Sequence, residues 1–123
     1  MKIQNYKELN IWKKGMEIVL RTYQITKTLP KCEQYGLTTQ MQRAAVSIPS
    51  NIAEGFMRNH TREYIQFLYV ALASCAELET QMIISQELGY ILLQDLDYFS
   101  KNLQFESCLT MNLIKVLERK IKD

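Results

Sequence analysis

Arg-Ala-Ala-Val-Ser-Ile-Pro-Ser-Asn-Ile-Ala-Glu-Gly, residues 43–55, is the segment from which the fold of this chain can be inferred. Apolar residues in and around it recur at spacings of three and four, which places them on one face of a helix. They are Met41, Ala45, Ile48, Ile52 and Phe56. Polar residues share that spacing on another face, and they are Gln40, Arg43, Ser47, Ser50, Asn51, Glu54 and Arg58. This polar stripe indicates an interaction surface, although an ordinary solvated face would also collect such residues.

Pro49 lies inside this helical pattern. A proline in a helix interior removes one hydrogen bond and clashes with the carbonyl four residues earlier, here that of Ala45, at a cost of about 3 kcal/mol. Because the apolar spacing continues on both sides, we predict one helix kinked at Pro49 rather than two helices. Short polar side chains bond locally to the main chain, so Ser47, Ser50 and Asn51 are candidates to satisfy the freed backbone groups.

Three further helical patterns flank this one. The first runs from about Tyr6 to Leu29 and the third from about Arg62 to Leu88, while the fourth spans roughly Gln94 to Ile121. We expect the first to face the core with Leu9, Trp12, Met16, Val19 and Tyr23. We expect the third to do so with Tyr64, Leu68, Ala71, Cys75, Leu78 and Met82, and the fourth with Leu96, Phe99, Leu103, Thr110, Leu113 and Leu117. Four helices with short connections predict an all-α, antiparallel up-down-up-down four-helix bundle.

Length and composition agree with one domain over residues 1–123. The chain has only four glycines and two prolines, the residues that most often form turns, and this scarcity favours a few long helices over many short elements. No apolar run approaches the roughly 18 residues of a membrane span, and the N-terminus lacks the apolar region of a signal peptide. We therefore expect a cytoplasmic protein without a membrane partner.

The residues for common catalytic and metal sites are missing from the sequence. Di-iron bundles use Glu-x-x-His on two helices, but this chain has one histidine, His60, in a predicted connection. Cys32, Cys75 and Cys108 are too widely spaced for a zinc knuckle or a disulfide framework. No phosphate-binding loop or nucleophile elbow is present. We predict no enzyme, no catalytic residues, no metal site and no cofactor.

The charge is divided unevenly along the chain. Residues 1–62 contain ten Lys and Arg against four Glu, a net charge of +6, and residues 63–123 contain five against nine acids, a net of −4. The two halves together give the +2 of the whole chain. Such a division can mean a basic face for an acidic partner, or head-to-tail pairing between subunits. It can also reflect solubility alone.

With these residues in view, the chain resembles the four-helix bundle family named for intervening sequences of 23S ribosomal RNA genes, also called the S23 ribosomal protein family. The matching segments are Leu9–Trp12, Leu29-Pro30, Glu33–Gln40, Arg43–Phe56, Glu63-Tyr64, Phe67-Leu68, Ala71–Ser74, Glu77–Glu79 and Leu88–Ile91. Segment 43–55 is the most specific of them, and the fourth helix is much less diagnostic.

The resemblance implies a bundle that assembles into a ring-like homopentamer. It also brings in a relative, the accessory protein of diversity-generating retroelements, which forms a basic pentameric barrel and works with a reverse transcriptase and nucleic acid. The association of such genes with ribosomal RNA inserts does not establish that the protein binds that RNA.

Two sets of candidate residues follow. We expect the residues of segment 43–55 to have structural or interface roles, and they are Arg43, Ser47, Pro49, Asn51, Glu54 and Gly55. For Arg43, a carboxylate such as Glu54 or Glu77, from a neighbouring helix or subunit, is the candidate partner.

We expect a non-enzymatic oligomeric scaffold that binds RNA or DNA without sequence preference through Lys13, Lys14, Arg21, Arg58 and Arg62. The alternative is an adaptor that holds a nucleic-acid-handling protein such as a polymerase without touching nucleic acid.

Overall fold

The computed structural model describes residues 3–122, and these form four α-helices without a β-strand. The helices are α1 (Asn10–Thr26), α2 (Leu37–Phe56), α3 (Thr61–Glu87) and α4 (Leu93–Lys122). Short 3-10 turns at Tyr6–Glu8 and Lys31–Glu33 precede α1 and α2. The prediction of an all-α four-helix bundle is therefore confirmed.

Contacts along the helices show that sequential neighbours run in opposite directions. Between α2 and α3, the hydroxyl of Ser85 lies 3.5 Å from the sulfur of Met41, and the hydroxyl of Ser74 donates to that of Ser47 at 2.8 Å. The later residue of α2 therefore contacts the earlier residue of α3, so α2 and α3 are antiparallel. In the first turns of α3, Arg62 and Ile65 line one pocket with Glu118, Ile121 and Lys122 near the end of α4. The start of α3 thus lies beside the end of α4.

All four helices contribute to the core, and the buried faces of α2, α3 and α4 largely follow the predicted spacing. On α2, Met41, Ala45, Ile48 and Ile52 are buried, while Phe56 is half-buried. The buried residues of α3 include Leu68, Ala71, Cys75, Leu78 and Met82, and those of α4 include Phe99, Leu103, Thr110 and Leu117. Burial of these apolar side chains stabilises the fold through the hydrophobic effect.

The predicted inner face of α1 is wrong. Its buried residues are Ile11, Gly15, Ile18, Thr22 and Thr26, one position before the predicted set of Leu9, Trp12, Met16, Val19 and Tyr23. Gly15 suits the interior because a Cβ there would lie 3.2 Å from Cβ of Pro49 and 3.4 Å from Cγ2 of Ile48. Thr22 can be buried because its hydroxyl donates to the carbonyl of Ile18 at 2.7 Å. The bulkier apolar stripe of α1 therefore lies at the edge of the core, where Leu9, Trp12 and Val19 pack against it while only partly buried.

Pro49 is accommodated within a continuous α2, which the structure assigns from Leu37 to Phe56 without a break. The bend at Pro49 stays a prediction. Asn51 donates through its amide to the Ser47 carbonyl at 2.7 Å and to the Ser47 hydroxyl at 2.8 Å. The Ser74 hydroxyl of α3 also donates to the Ser47 hydroxyl. These polar side chains therefore tie α2 to α3 beside the proline.

The end of α3 is set by Gly89, whose φ of 79° lies in the left-handed region that favours glycine. The amide of Gly89 donates to the carbonyl of Gln86 at 3.0 Å, and the amide of Tyr90 donates to that of Ser85 at 2.9 Å. This pair of bonds is the Schellman arrangement that terminates helices. The predicted end of the third helix, at about Leu88, agrees with this position.

By length and composition alone, α3 could cross a membrane, and 39% of its most apolar 18-residue window is buried inside the bundle. The same two criteria also fit the central helix of a bundle. Here α3 contacts both α2 and α4 and buries the polar side chains of Ser74, Gln81 and Ser85. It is therefore packed as one of the four helices of the bundle, between α2 and α4.

Candidate functional site

Five exposed basic side chains lie at one end of the bundle, which we call the basic end. Arg58 and Arg62 come from the α2–α3 connection and its exit. Arg119, Lys120 and Lys122 come from the last turn of α4. Arg62 and Lys122 line the same pocket, together with Glu118 and the apolar Ile65 and Ile121. Two distant parts of the sequence thus contribute cations to one surface.

Within residues 3–122, three carboxylates, Glu54, Glu63 and Glu118, lie within four residues of a basic side chain of the basic end. Residues 112–122 hold four basic side chains against one carboxylate, Glu118. Cations in the last turn also interact favourably with the negative end of the helix dipole, so they serve α4 as well. Because these side chains are exposed, they are accessible to an anionic partner without unfolding any element.

Arg58 is held in place by two contacts. Its guanidinium lies 3.0 Å from the carboxylate of Glu54, one turn earlier on α2, and 4.8 Å from the ring centroid of Phe67 on α3. The ion pair joins two exposed side chains, and such pairs contribute little to stability. A phosphate can therefore compete with Glu54 for Arg58 at small cost.

Lys14 and Arg21, two of the five predicted nucleic-acid-binding residues, lie elsewhere. On α1 they face α4, with Lys14 Nζ 5.8 Å from the ring of Phe105 and the Arg21 guanidinium 4.8 Å from the ring of Tyr98. Phe105 precedes the last turn of α4 by fourteen residues, or about 21 Å of helix. Lys13 is exposed on α1. The structure thus does not place the predicted residues in one patch, and a binding role for these three stays a prediction.

The last turn of α4 was missed as a binding candidate because charge was counted along the sequence. Arg119, Lys120 and Lys122 belong to the acidic half of the chain. The antiparallel topology brings the last turn of α4 back to the start of α3, where Lys122 lines one pocket with Arg62. The predicted topology already contained this signal, since the end of the fourth helix must lie near the start of the third.

The polar residues of segment 43–55 line a second surface between α1 and α2. Arg43, Ser47 and Asn51 surround one pocket with Tyr23 and Val46. The side chain of Arg43 is exposed and makes no hydrogen bond or ion pair within residues 3–122. Its predicted partner Glu54 is paired with Arg58 instead. Arg43 therefore remains available to a partner outside the subunit.

Glu106 of α4 is fully buried in the core, which the apolar spacing did not predict. Its Oε2 lies 3.2 Å from the place that a Cβ would take on Gly15 of α1. Within residues 3–122 neither carboxylate oxygen has a hydrogen-bond partner, and the hydroxyl of Thr110 one turn later has none either. Burial raises the pKa of Glu106 to about 8, and the charge of Lys14 opposes that rise. The carboxyl is therefore mostly protonated at neutral pH.

No group of three or more His, Cys, Asp or Glu side chains within residues 3–122 is placed to hold a metal ion. The buried Glu106 has no histidine beside it, because His60 is exposed in the α2–α3 connection.

A model of the family "23S rRNA-intervening sequence protein" matches residues 7–110. The chain belongs to this family. The matched range contains all of segment 43–55 and ends before the last turn of α4, so Arg119, Lys120 and Lys122 lie outside it. Among curated proteins, none matches the chain significantly.

A solved structure is similar to this 23S rRNA-intervening sequence protein over most of its length. It is the crystal structure of a protein with unknown function from the S23 ribosomal protein family, from Bacteroides thetaiotaomicron VPI-5482. The match has a TM-score of 0.79 at 22% sequence identity and covers 85% of this chain and 98% of the other. At this identity the similarity establishes the shared fold.

Proposed function

We propose that this protein is a non-enzymatic, cytoplasmic, oligomeric scaffold whose basic end binds RNA or DNA. The observation that carries the proposal is that Arg62, at the start of α3, and Lys122, in the last turn of α4, line one pocket at one end of the bundle. Exposed Arg and Lys side chains bind phosphates and release the counterions of the nucleic acid. The last turn alone presents three such side chains.

Assembly strengthens this interaction. A single subunit offers only a few phosphate contacts, which gives weak binding at physiological salt. A ring repeats the basic end in every subunit, so one nucleic acid contacts several copies and the apparent affinity rises through effective concentration. The five-fold number is the one that the family resemblance implies.

We expect the basic end to bind RNA or DNA without preference for a nucleotide sequence. Contacts to phosphates position a protein but carry no sequence information, and recognition of single-stranded bases requires exposed aromatic residues for stacking. The ring of Phe67, the aromatic residue that Arg58 contacts, is covered on one side by that guanidinium. The basic end is therefore suited to backbone recognition.

Charge reversal of the last turn tests this function. We expect R119E/K120E/K122E to weaken binding to a structured RNA and to duplex DNA. We also expect the slope of log affinity against log salt to fall in magnitude by roughly 0.9 for each phosphate contact that is lost. Fluorescence anisotropy between about 50 and 200 mM salt measures both quantities.

The matched control is K27E/K31E/K101E, which makes the same change in charge at exposed lysines outside the basic end. It should retain more of the affinity, and both triple variants should keep the helical circular dichroism of the wild type. Equal losses in the two variants would mean that net charge alone drives binding. If the wild type binds neither nucleic acid at low salt, the protein is instead an adaptor that holds a protein partner such as a polymerase.

A further inference from the structure

The pocket between the first turns of α3 and the last turns of α4 contains more than cations. Its volume is about 400 Å³, within the range of cavities that hold one small ligand. The apolar part of its lining is Ile65, which is 8% exposed, and the half-buried Ile121. The polar part consists of Arg62, Gln66, Glu118 and Lys122. This mixed lining suits a ligand that has both an apolar and a charged part.

The two helices set the order of the polar side chains along the pocket. On α3, Gln66 follows Arg62 by four residues. On α4, Lys122 follows Glu118 by the same number. Because α3 and α4 are antiparallel, Arg62 lies nearest Lys122, and Gln66 lies nearest Glu118. Four residues of helix rise about 6 Å, so the two cations occupy one edge of the pocket and the carboxylate lies about 6 Å from that edge.

The carboxylate of Glu118 has no partner within residues 3–122. The two ion pairs among these residues join Lys14 to Glu17 and Arg58 to Glu54, and the side chain of Glu118 makes no hydrogen bond. A carboxylate only accepts hydrogen bonds, and it repels phosphates. A surface that binds phosphates alone therefore gains nothing from Glu118. Its place beside two cations points to a ligand that joins phosphates to a hydrogen-bond donor.

The backbone of RNA has this combination in every nucleotide. Its ribose has a 2′-hydroxyl that can donate a hydrogen bond, which DNA lacks, and the CH groups of the sugar ring are apolar. We propose that the pocket holds one ribose of an RNA strand, with its 2′-hydroxyl donating to Glu118 and the adjoining phosphates bound by Arg62 and Lys122. This inference rests on the proposed function and selects RNA over DNA as the ligand of the basic end.

The lining of the pocket favours the sugar over a base. Among the described residues that line it, none is aromatic, so the pocket offers no ring on which a base could stack. Ile65 and Ile121 instead provide a small apolar surface for the sugar ring. A contact to the ribose is the same for all four nucleotides, so it distinguishes RNA from DNA without selecting a sequence.

Half of this pocket lies outside the range that the family model matches. The match ends at residue 110, whereas Glu118, Ile121 and Lys122 follow it in the last turns of α4. The selection of RNA is therefore inferred for this chain from its own residues.

Three versions of one hairpin, made of RNA, 2′-fluoro RNA and DNA, test the proposal by fluorescence anisotropy. The 2′-fluoro strand keeps the A-form helix but cannot donate a hydrogen bond from the 2′ position. We expect the wild type to bind the RNA hairpin about 10-fold more tightly than the 2′-fluoro hairpin, the lower end for a hydrogen bond to a charged group, because Glu118 is only half-buried. The DNA hairpin should also bind less tightly than the RNA hairpin.

The variant E118A separates a ribose contact from simple charge repulsion. Without a ribose contact, loss of a carboxylate from a basic surface would strengthen binding to all three hairpins alike. We instead expect E118A to reduce the ratio of the RNA and 2′-fluoro affinities from about 10 to about 1. E118Q should keep part of the preference, because its amide oxygen still accepts a hydrogen bond.

The matched control is E87A, which removes an exposed carboxylate at the end of α3, at the opposite end of the bundle, and should keep the wild-type ratio. A wild type that binds none of the hairpins at low salt would overturn the proposed function itself. Equal binding of the RNA and 2′-fluoro hairpins by the wild type, or a ratio that E118A leaves unchanged, would overturn the ribose contact and leave nucleic-acid binding standing.

Discussion

Replacing Glu106 by glutamine is expected to stabilise the folded protein by about 4 kcal/mol at pH 8 and to have little effect near pH 4. The carboxyl is fully buried, and its pKa is raised to about 8 by that burial. In the unfolded chain the same carboxyl titrates near its ordinary pKa of 4.5. Glutamine keeps the size and polarity of the protonated acid but cannot ionise.

The sign of the pH dependence follows from the raised pKa. Between about pH 4.5 and pH 8 the folded chain retains a proton on Glu106 that the unfolded chain has released. Folded molecules therefore bind more protons over this window, so the free energy of unfolding falls as the pH rises. The stabilisation that the protonated Glu106 carboxyl gives the folded chain is complete below pH 4.5 and is lost as the pH approaches 8. Lys14 moderates the loss, because its charge favours the ionised carboxylate.

Urea denaturation of the wild type and E106Q at several pH values measures this difference. The control is E87Q, which removes an exposed carboxylate at the end of α3 and should keep the wild-type pH dependence between pH 4.5 and 8. A variant E106Q that shows the wild-type decline in stability would contradict the assignment of that decline to Glu106.

Replacing Gly55 by alanine is expected to destabilise the fold by about 3 kcal/mol. A Cβ at Gly55 would lie 2.7 Å from Cβ of Phe67 and 3.2 Å from the carbonyl oxygen of Tyr64. Both atoms are at or next to the backbone of α3, so α2 and α3 would have to separate. The higher helix propensity of alanine than of glycine offsets at most about 1 kcal/mol of this destabilisation.

Gly36 provides the comparison for this variant. A Cβ there would meet chiefly Oε1 of Glu33 at 3.0 Å, the far end of a flexible side chain that can move aside. G36A should therefore cost clearly less than G55A in the same urea experiment. Equal denaturation midpoints for G55A and the wild type would mean that the α2–α3 contact is looser than the structure describes.

The helices and three of the four core faces could be predicted because their buried residues are large and apolar. On α2 and α3, side chains such as Met41, Ile52, Leu68 and Leu78 stand out against polar neighbours, and these positions are the ones that the bundle buries. Periodicity therefore identifies a face well when hydrophobicity and burial coincide.

The inner face of α1 could not be predicted in the same way, because it is selected by size and hydrogen bonding. Gly15 is buried where α1 approaches Pro49 and Glu106, and Thr22 satisfies its own hydroxyl within the helix. Neither residue is strongly apolar, whereas Trp12 and Met16 on the next face are. The strongest hydrophobic signal of α1 thus belonged to residues at the edge of the core, such as Trp12 and Val19, which are only partly buried.

The buried carboxyl of Glu106 and the basic end were missed for different physical reasons. A sequence pattern treats glutamate as charged and therefore exposed, but a buried carboxyl can remain neutral through its raised pKa. The basic end depends on spatial proximity, since Arg62 and Lys122 are sixty residues apart in the sequence and line one pocket in the fold.

Photo-crosslinking of the wild-type protein to a hairpin RNA, followed by mass spectrometry of the labelled peptides, locates the bound nucleic acid directly. If the basic end is the binding surface, the crosslinks should fall within residues 56–63 and 112–122 and should disappear as salt screens the phosphate contacts. Crosslinks concentrated in residues 18–50, or crosslinks that persist unchanged at high salt, would contradict a basic end that binds nucleic acid through its phosphates.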